Sequence, residues 1–207
     1  MQPARPIVLY RHPLSGHCHR VELLLRMLDL PYRTRDVDLQ AREQRAPDFL
    51  ALNPFGQVPV IDDDGAVIAD SNAILVHLAL RYAPPSWLPR DADGAARVQR
   101  WLSVAAGPLA CGPARARAIR LFRRATDPTQ ARATAHALFS TMEDMLQPQG
   151  FLAGSEPTIA DLAMYSYTAH APEGGVELEG YPRIRAWLAR VQALPGFRPM
   201  PAAADAA

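Results

Sequence analysis

The sequence predicts a small α/β sandwich with a mixed sheet, in the order β-α-β-α-β-β-α, followed by an all-α second half. Three observations carry this prediction. Strand-like and helix-like runs alternate as far as Tyr82, a proline-dense segment follows, and every apolar repeat beyond it has a helical period.

The elements follow in order. Residues 6–10 are a short apolar run, and Val21, Leu24, Leu25 and Leu28 then repeat at i, i+3, i+4 and i+7, so a strand leads into a helix with one buried face. Residues 32–37 suggest a second strand and residues 47–52 a short helix. Val58, Val60 and Ile61 are answered by Val67 and Ile68 across Asp64-Gly65, a strong short-range hairpin signal. Ile74, Leu75 and Leu78 begin the next helix. Ala-Pro-Pro-Ser-Trp-Leu-Pro-Arg-Asp, residues 83–91, cannot continue it and reads as a linker, about 84–91, between domains 1–83 and 92–207. In the second domain helical faces are marked by Val98, Trp101, Leu102 and Ala105; by Leu138, Phe139, Met142 and Leu146; by Ile159, Leu162, Ala163 and Ser166; and by Ile184, Trp187, Leu188 and Val191. Gly107-Pro108 and Gly112-Pro113 predict breaks in the first of these helices, leaving a kink or a solvated gap. Thr158-Ile-Ala-Asp161 has the form of a capping box. The tail from Pro199 is expected to fray.

Composition excludes several partners. The 207 residues are 49% hydrophobic and 21% charged, as in a globular protein, and a net charge of +1 provides no field for steering nucleic acid. All 22 basic residues are Arg. No run reaches the length of a membrane span, and the N-terminus lacks a basic segment followed by an apolar one, so a cytoplasmic location without a membrane partner is expected. Cys18 and Cys111, few and distant, read as reduced thiols.

Two stretches bear chemistry. Within Asn-Pro-Phe-Gly-Gln-Val-Pro, residues 53–59, Pro59 stands at a strand mouth, where it implies an edge or a cis bond with neighbouring backbone groups left for a peptide-like ligand. Asp70-Ser71 then stands at a helix start, a corner that caps the helix or receives an anion. The other stretch, Arg11-His-Pro-Leu-Ser-Gly-His-Cys-His-Arg20, offers a hydroxyl, a thiol and three imidazoles. His12, His17, Cys18 and His19 match no zinc spacing, so no metal is expected. Ser15 lacks the Gly-x-Ser-x-Gly elbow of a hydrolase. Placed just before a helix, its hydroxyl and the helix dipole suit a ligand thiolate.

Ser15 heading the first helix, the 53–59 motif and Asp70-Ser71, in this order across a change of domain type, resemble a cytosolic glutathione S-transferase over nearly the whole chain. His-Pro-Leu-Ser followed by His-Arg-Val resembles the serine-type members, phi-, zeta- and theta-like proteins of bacteria. The resemblance implies a thioredoxin-like first domain that holds glutathione as co-substrate, with Ser15 donating its O–H to the sulfur. It further implies that Val58 pairs its backbone with the cysteinyl part, that Pro59 is cis, that Asp70 and Ser71 receive the γ-glutamyl end, and that Gln57 reaches the ligand backbone or carboxylate. For the glycine carboxylate the nearest candidates are Gln44 and Arg45. Ser15-x-x-Cys18 resembles a thioredoxin-type pair without its first cysteine, which disfavours a mixed disulfide there and makes Cys18 a packing residue. His17 and His19 are expected at the surface. A hydrophobic electrophile would meet Leu14, Ala105 and Leu109. A homodimer with a role in detoxification is implied. Two functions stay open: a glutathione transferase, or a non-catalytic binding or scaffold protein of this fold, and within the enzyme reading a glutathione-dependent peroxidase, isomerase or dechlorinating activity.

Overall fold

The computed structural model describes residues 2–147 and 150–201; the expectations that fall on Met1, on residues 148–149 and on residues 202–207 lie outside the described residues. Strand β1 (Ile7–Arg11) runs through the centre of a four-stranded sheet of order β2-β1-β3-β4. It pairs in parallel with β2 (Tyr32–Asp36), Leu9 opposite Thr34, and antiparallel with β3 (Val60–Asp63), Leu9 opposite Ile61. β3 turns back into β4 (Ala66–Ala69) through Asp64 and Gly65, at φ 54° and 92°. Positive φ at both central residues is what a twisted two-residue hairpin requires. The ladder starts at Val60, so Val58 precedes the sheet instead of joining it. The Val58–Pro59 peptide bond is cis.

The pleat sorts the side chains. Ile7, Leu9 and Ile61 join α1 (Gly16–Met27) and α3 (Ser71–Tyr82) in the main core, while Tyr10 and Val60 meet Phe49 of α2 (Pro47–Leu52) on the other face. The residues that head α1 and α3 border one cavity.

The second half is helical among the described residues: α4 (Ala92–Val104), α5 (Arg115–Leu121), α6 (Thr129–Met145), α7 (Ile159–Ala169) and α8 (Pro182–Gln192). The expected breaks at Gly107-Pro108 and Gly112-Pro113 do not occur. The ten residues Ala105–Ala114 are π-helical and join α4 to α5 without interruption. Bonding from i to i+5 widens the turn, which accommodates rings that an ordinary helical turn would exclude. Gly112 has a different reason: a Cβ there would stand 2.9 Å from the backbone nitrogen of Ala135, so it lets α6 cross closely.

The capping box forms as expected. Asp161, wholly buried, accepts from the Thr158 N–H at 2.9 Å, and also from the Leu152 N–H and the Trp187 indole, both at 2.9 Å. Helix α7, so anchored, lies against α1, and side chains of both halves form one continuous core. Met200 corrects the expectation of a tail frayed from Pro199 as far as the described residues run, being 3% exposed, and just ahead of it the Arg198 carbonyl bonds His19 Nε2 at 2.8 Å.

Candidate active site

Ser15 is the N-cap of α1, in extended conformation at φ −86°, ψ 115°. Its Oγ accepts the Cys18 N–H at 3.3 Å. The cap uses the oxygen as an acceptor, and the Cys18 thiol and Tyr167 hydroxyl stand within hydrogen-bonding reach of the same hydroxyl. The approach to Ser15 is braced from both halves. Ser15 N–H donates to the His12 carbonyl at 3.0 Å, and the buried Arg117 of α5 donates to the Leu14 carbonyl at 2.7 Å while pairing with Glu173 at 2.7 Å. Behind the cap, a Cβ on Gly16 would stand 2.9 Å from the Tyr167 ring of α7, so only glycine lets α1 start this close to the second half.

Across the cavity, the 53–59 loop is held by its own residues. Buried Asn53 accepts the Phe55 N–H at 3.1 Å and donates to the Gln57 carbonyl at 2.8 Å, and Gly56 takes φ 60° where a Cβ would stand 2.8 Å from the Gln44 carbonyl. Asp70 caps α3, its Oδ1 accepting the N–H groups of Asn72 and Ala73 at 2.9 and 3.0 Å. It does so at φ 74°, ψ 126°, a region that non-glycine residues rarely occupy and that costs about 1–3 kcal/mol. Ser71 beside it is buried, and its Oγ accepts from Arg20 Nη1 at 3.3 Å and lies 3.4 Å from His17 Nδ1.

These groups line one cavity of about 840 Å³: Ser15, Gln44, Gln57, Val58, Pro59, Asp70 and Ser71 all contribute to its wall. Burial sets the charges around it. His17 is pushed down to about 3, first by desolvation and then by Arg20, so its imidazole is neutral at physiological pH. Burial pushes the Cys18 thiol up to about 11, which leaves it protonated and unreactive. Ser15 thus brings a hydroxyl from the head of α1 to the cavity wall, beside a neutral His17.

The first part of the chain matches the family model of the glutathione S-transferase N-terminal domain over residues 14–81, and the second matches that of the C-terminal domain over residues 94–195. The chain is similar to glutathione S-transferase theta-1 of Mus musculus, with 31% identity covering 91% of this chain and 83% of the other. The chain belongs to the glutathione S-transferase family. Among solved structures, this transferase resembles a glutathione S-transferase from Pseudomonas fluorescens, with a TM-score of 0.89 and 33% identity over 95% of this chain and 99% of that one. It also resembles a glutathione transferase homologue from Drosophila mojavensis with bound glutathione, with a TM-score of 0.81 and 29% identity over 92% and 89% of the two chains.

Several expected residues of the transferase lie elsewhere. Ala105 and Leu109 are fully buried in the core, and the cavity wall is formed instead by their neighbours Ala106 and Ala110. The reason is helical phase: Val98, Trp101, Leu102, Ala105 and Leu109 are one continuous core-facing row, so the cavity takes the next residues around. Leu14 presents its carbonyl to Arg117 and is not in the cavity wall. Arg45, exposed, turns its Nη1 to the Phe55 carbonyl at 3.3 Å, and Gln44 is the one of the pair that reaches the cavity. His19 is buried, not exposed, with Nδ1 2.9 Å from Ser166 Oγ; His17 is part-buried, its ring edge-on to Tyr167. Cys18 is a packing residue as expected. Arg20, Arg117 and Tyr167 are residues that sequence reasoning missed. Arg117 carries no signal among 22 arginines, whereas Tyr167 could have been found as the residue after Ser166 on the apolar face of α7.

Proposed function

We propose that this glutathione transferase activates the thiol of glutathione through Ser15 and directs the thiolate at a hydrophobic electrophile. The observation that carries the reading is the Ser15 hydroxyl: it heads α1, its oxygen is engaged by the Cys18 N–H, and it shares one cavity with the head of α3. Asp70 would meet the γ-glutamyl ammonium, Ser71 the adjoining carboxylate, the Val58 backbone ahead of the sheet the cysteinyl unit, and Gln44 the glycine carboxylate, with Gln57 and Pro59 shaping the loop over the peptide. Donation from Ser15 favours the charged form of the sulfur. A free thiol ionises near 8.5, so lowering its pKa by about one to two units enriches the thiolate roughly tenfold or more. The gain in rate is smaller, because nucleophilicity falls with basicity.

The thiolate sulfur then forms a bond to the electrophilic carbon, and the leaving group departs with its bonding electrons. Leu39, Phe55, Ala106 and Ala110 supply an apolar part of the wall of the cavity that Ser15 also lines. A homodimer, a cytoplasmic location and a detoxifying role rest on the family resemblance, as does the boundary between domains 1–83 and 92–207. Among the described residues no helix is long and apolar enough to cross a membrane, and no three His, Cys, Asp or Glu gather as a metal would require. The test is turnover of glutathione with a chlorodinitrobenzene: Ser15→Ala should lower kcat roughly ten- to a hundredfold, the equivalent of about 1–3 kcal/mol, with little change in glutathione affinity. Full activity in Ser15→Ala would reduce Ser15 to a helix cap.

A further inference from the structure

The turn that ends α5 places a cation in the cavity wall. Phe122 caps the helix, the Arg123 N–H returns to the Arg120 carbonyl at 3.3 Å, and the Arg124 N–H returns to the Ile119 carbonyl at 2.9 Å. This pair of bonds is a Schellman motif, in which the residue at the position of Arg123 is usually glycine because its φ is positive. Arg123 takes φ 46° there and bears the steric cost that a Cβ brings to this region. The turn sends Arg124 to the cavity, to whose wall the second half otherwise contributes only Ala106 and Ala110. The Arg124 guanidinium lies 5.6 Å from the centroid of the Phe122 ring, and that ring stands edge-on to His12 of the first half at 6.4 Å. Among the described residues no carboxylate forms an ion pair with Arg124. The sequence supplies the reason: residues 94–126 hold seven arginines and neither Asp nor Glu.

We propose that Arg124 sets specificity for the second substrate, and that this chain prefers aromatic electrophiles that carry a carboxylate. The inference rests on the reading that glutathione activated at Ser15 reacts in this cavity. Ala106 and Ala110 suit the ring, which gains from apolar surface, and Arg124 suits an anionic substituent on that ring. The planar guanidinium can meet a carboxylate through two parallel N–H donors, whereas a neutral electrophile gains nothing from its charge. Asp70, the carboxylate among the lining residues, is engaged as the cap of α3 and does not neutralise Arg124. Exposure limits the size of the effect. Arg124 faces solvent, so its attraction for an anion is weaker than that of a buried charge and falls with ionic strength. The reaction itself is unchanged: the sulfur of glutathione bonds to the ring carbon, chloride leaves with its bonding electrons, and the carboxylate stays on the product.

The test compares 4-chloro-3,5-dinitrobenzoate with its carboxamide, which keeps the leaving group and the ring and lacks the charge. The quantity read is kcat/KM with glutathione, divided for each compound by its uncatalysed rate. Wild-type protein should prefer the benzoate by about fivefold at low salt, the worth of an exposed charge pair, and the preference should shrink as salt is added. In Arg124→Gln the ratio should fall to within about twofold, and in Arg124→Lys, which keeps the charge, most of it should remain. Arg123→Gly removes a neighbouring charge while suiting the positive φ of the turn, and should retain the wild-type ratio. A wild-type ratio in Arg124→Gln overturns the proposal, and so does an equal loss in Arg123→Gly, which would trace the preference to the general field of the arginines. Turnover of both compounds by the wild type without preference overturns this proposal alone. Turnover of neither would refute the thiol chemistry assigned to the cavity, and the proposal with it.

Discussion

Asp70 has one observed role and one proposed role, and a single substitution can separate them. Its Oδ1 caps α3 by accepting two N–H groups, and its charge is proposed to meet the ammonium of the γ-glutamyl group. Asn caps a helix as well as Asp does, and also tolerates positive φ, so Asp70→Asn keeps the cap at φ 74° while removing the charge. Stability should therefore change by less than about 0.5 kcal/mol. Affinity for glutathione should fall by about 1–3 kcal/mol, roughly ten- to a hundredfold, since a charge-assisted contact becomes a neutral one. Asp70→Ala is the companion: it should lose the same affinity and about 1 kcal/mol of stability besides. Thermal melts without ligand and calorimetric titration with glutathione measure the two quantities independently. An Asp70→Asn protein that binds glutathione as tightly as the wild type would refute the ligand role and leave Asp70 a cap.

The other expectations concern the braces and the buried imidazole. Arg117→Met should cost about 1–3 kcal/mol of stability, moderated because Glu173 is partly exposed and keeps His170, and should lower kcat more than it raises KM for glutathione by releasing the Leu14 carbonyl ahead of Ser15; an unchanged kcat would show that the second domain does not position Ser15. His19 has a folded pKa of about 4 against an ordinary 6.5, mainly through burial, so between these values the unfolded chain holds a proton that the folded chain does not. Stability from this group is complete above pH 6.5 and falls as pH drops towards 4, by about 3 kcal/mol in all. Melts of wild type and His19→Gln across that range should show the shallower dependence in the variant, and parallel curves would contradict it.

What could be read from the sequence was local. The Asp64-Gly65 turn, the Thr158–Asp161 box, Ser15 at a helix start and Asp70-Ser71 at another each depend on a few neighbouring residues, and each stands where its chemistry placed it. The departures come from long-range packing. Ala105 and Leu109 continue the apolar row of Val98, Trp101 and Leu102, and a row of that kind belongs to the core and not to the cavity. Gly-Pro pairs signal a break because an ordinary helix loses a hydrogen bond at proline; a π-helical stretch pinned under α6 at Gly112 is a tertiary solution with no local marker. His19 reads as a surface residue in isolation, yet Ser166 and the Arg198 carbonyl satisfy both ring nitrogens. The arginines at 20 and 117 gain their meaning only from partners 51 and 103 residues away.

The central claim is that the Ser15 hydroxyl holds the bound sulfur as a thiolate, and ultraviolet absorbance of glutathione on the protein, titrated against pH, tests it most directly. In the wild type the bound thiol should ionise about one to two units below the free value near 8.5, and in Ser15→Ala the midpoint should move back up by most of that interval, because one donor to the charged form has been removed. Identical midpoints in the two proteins, each bound to glutathione, would contradict the account.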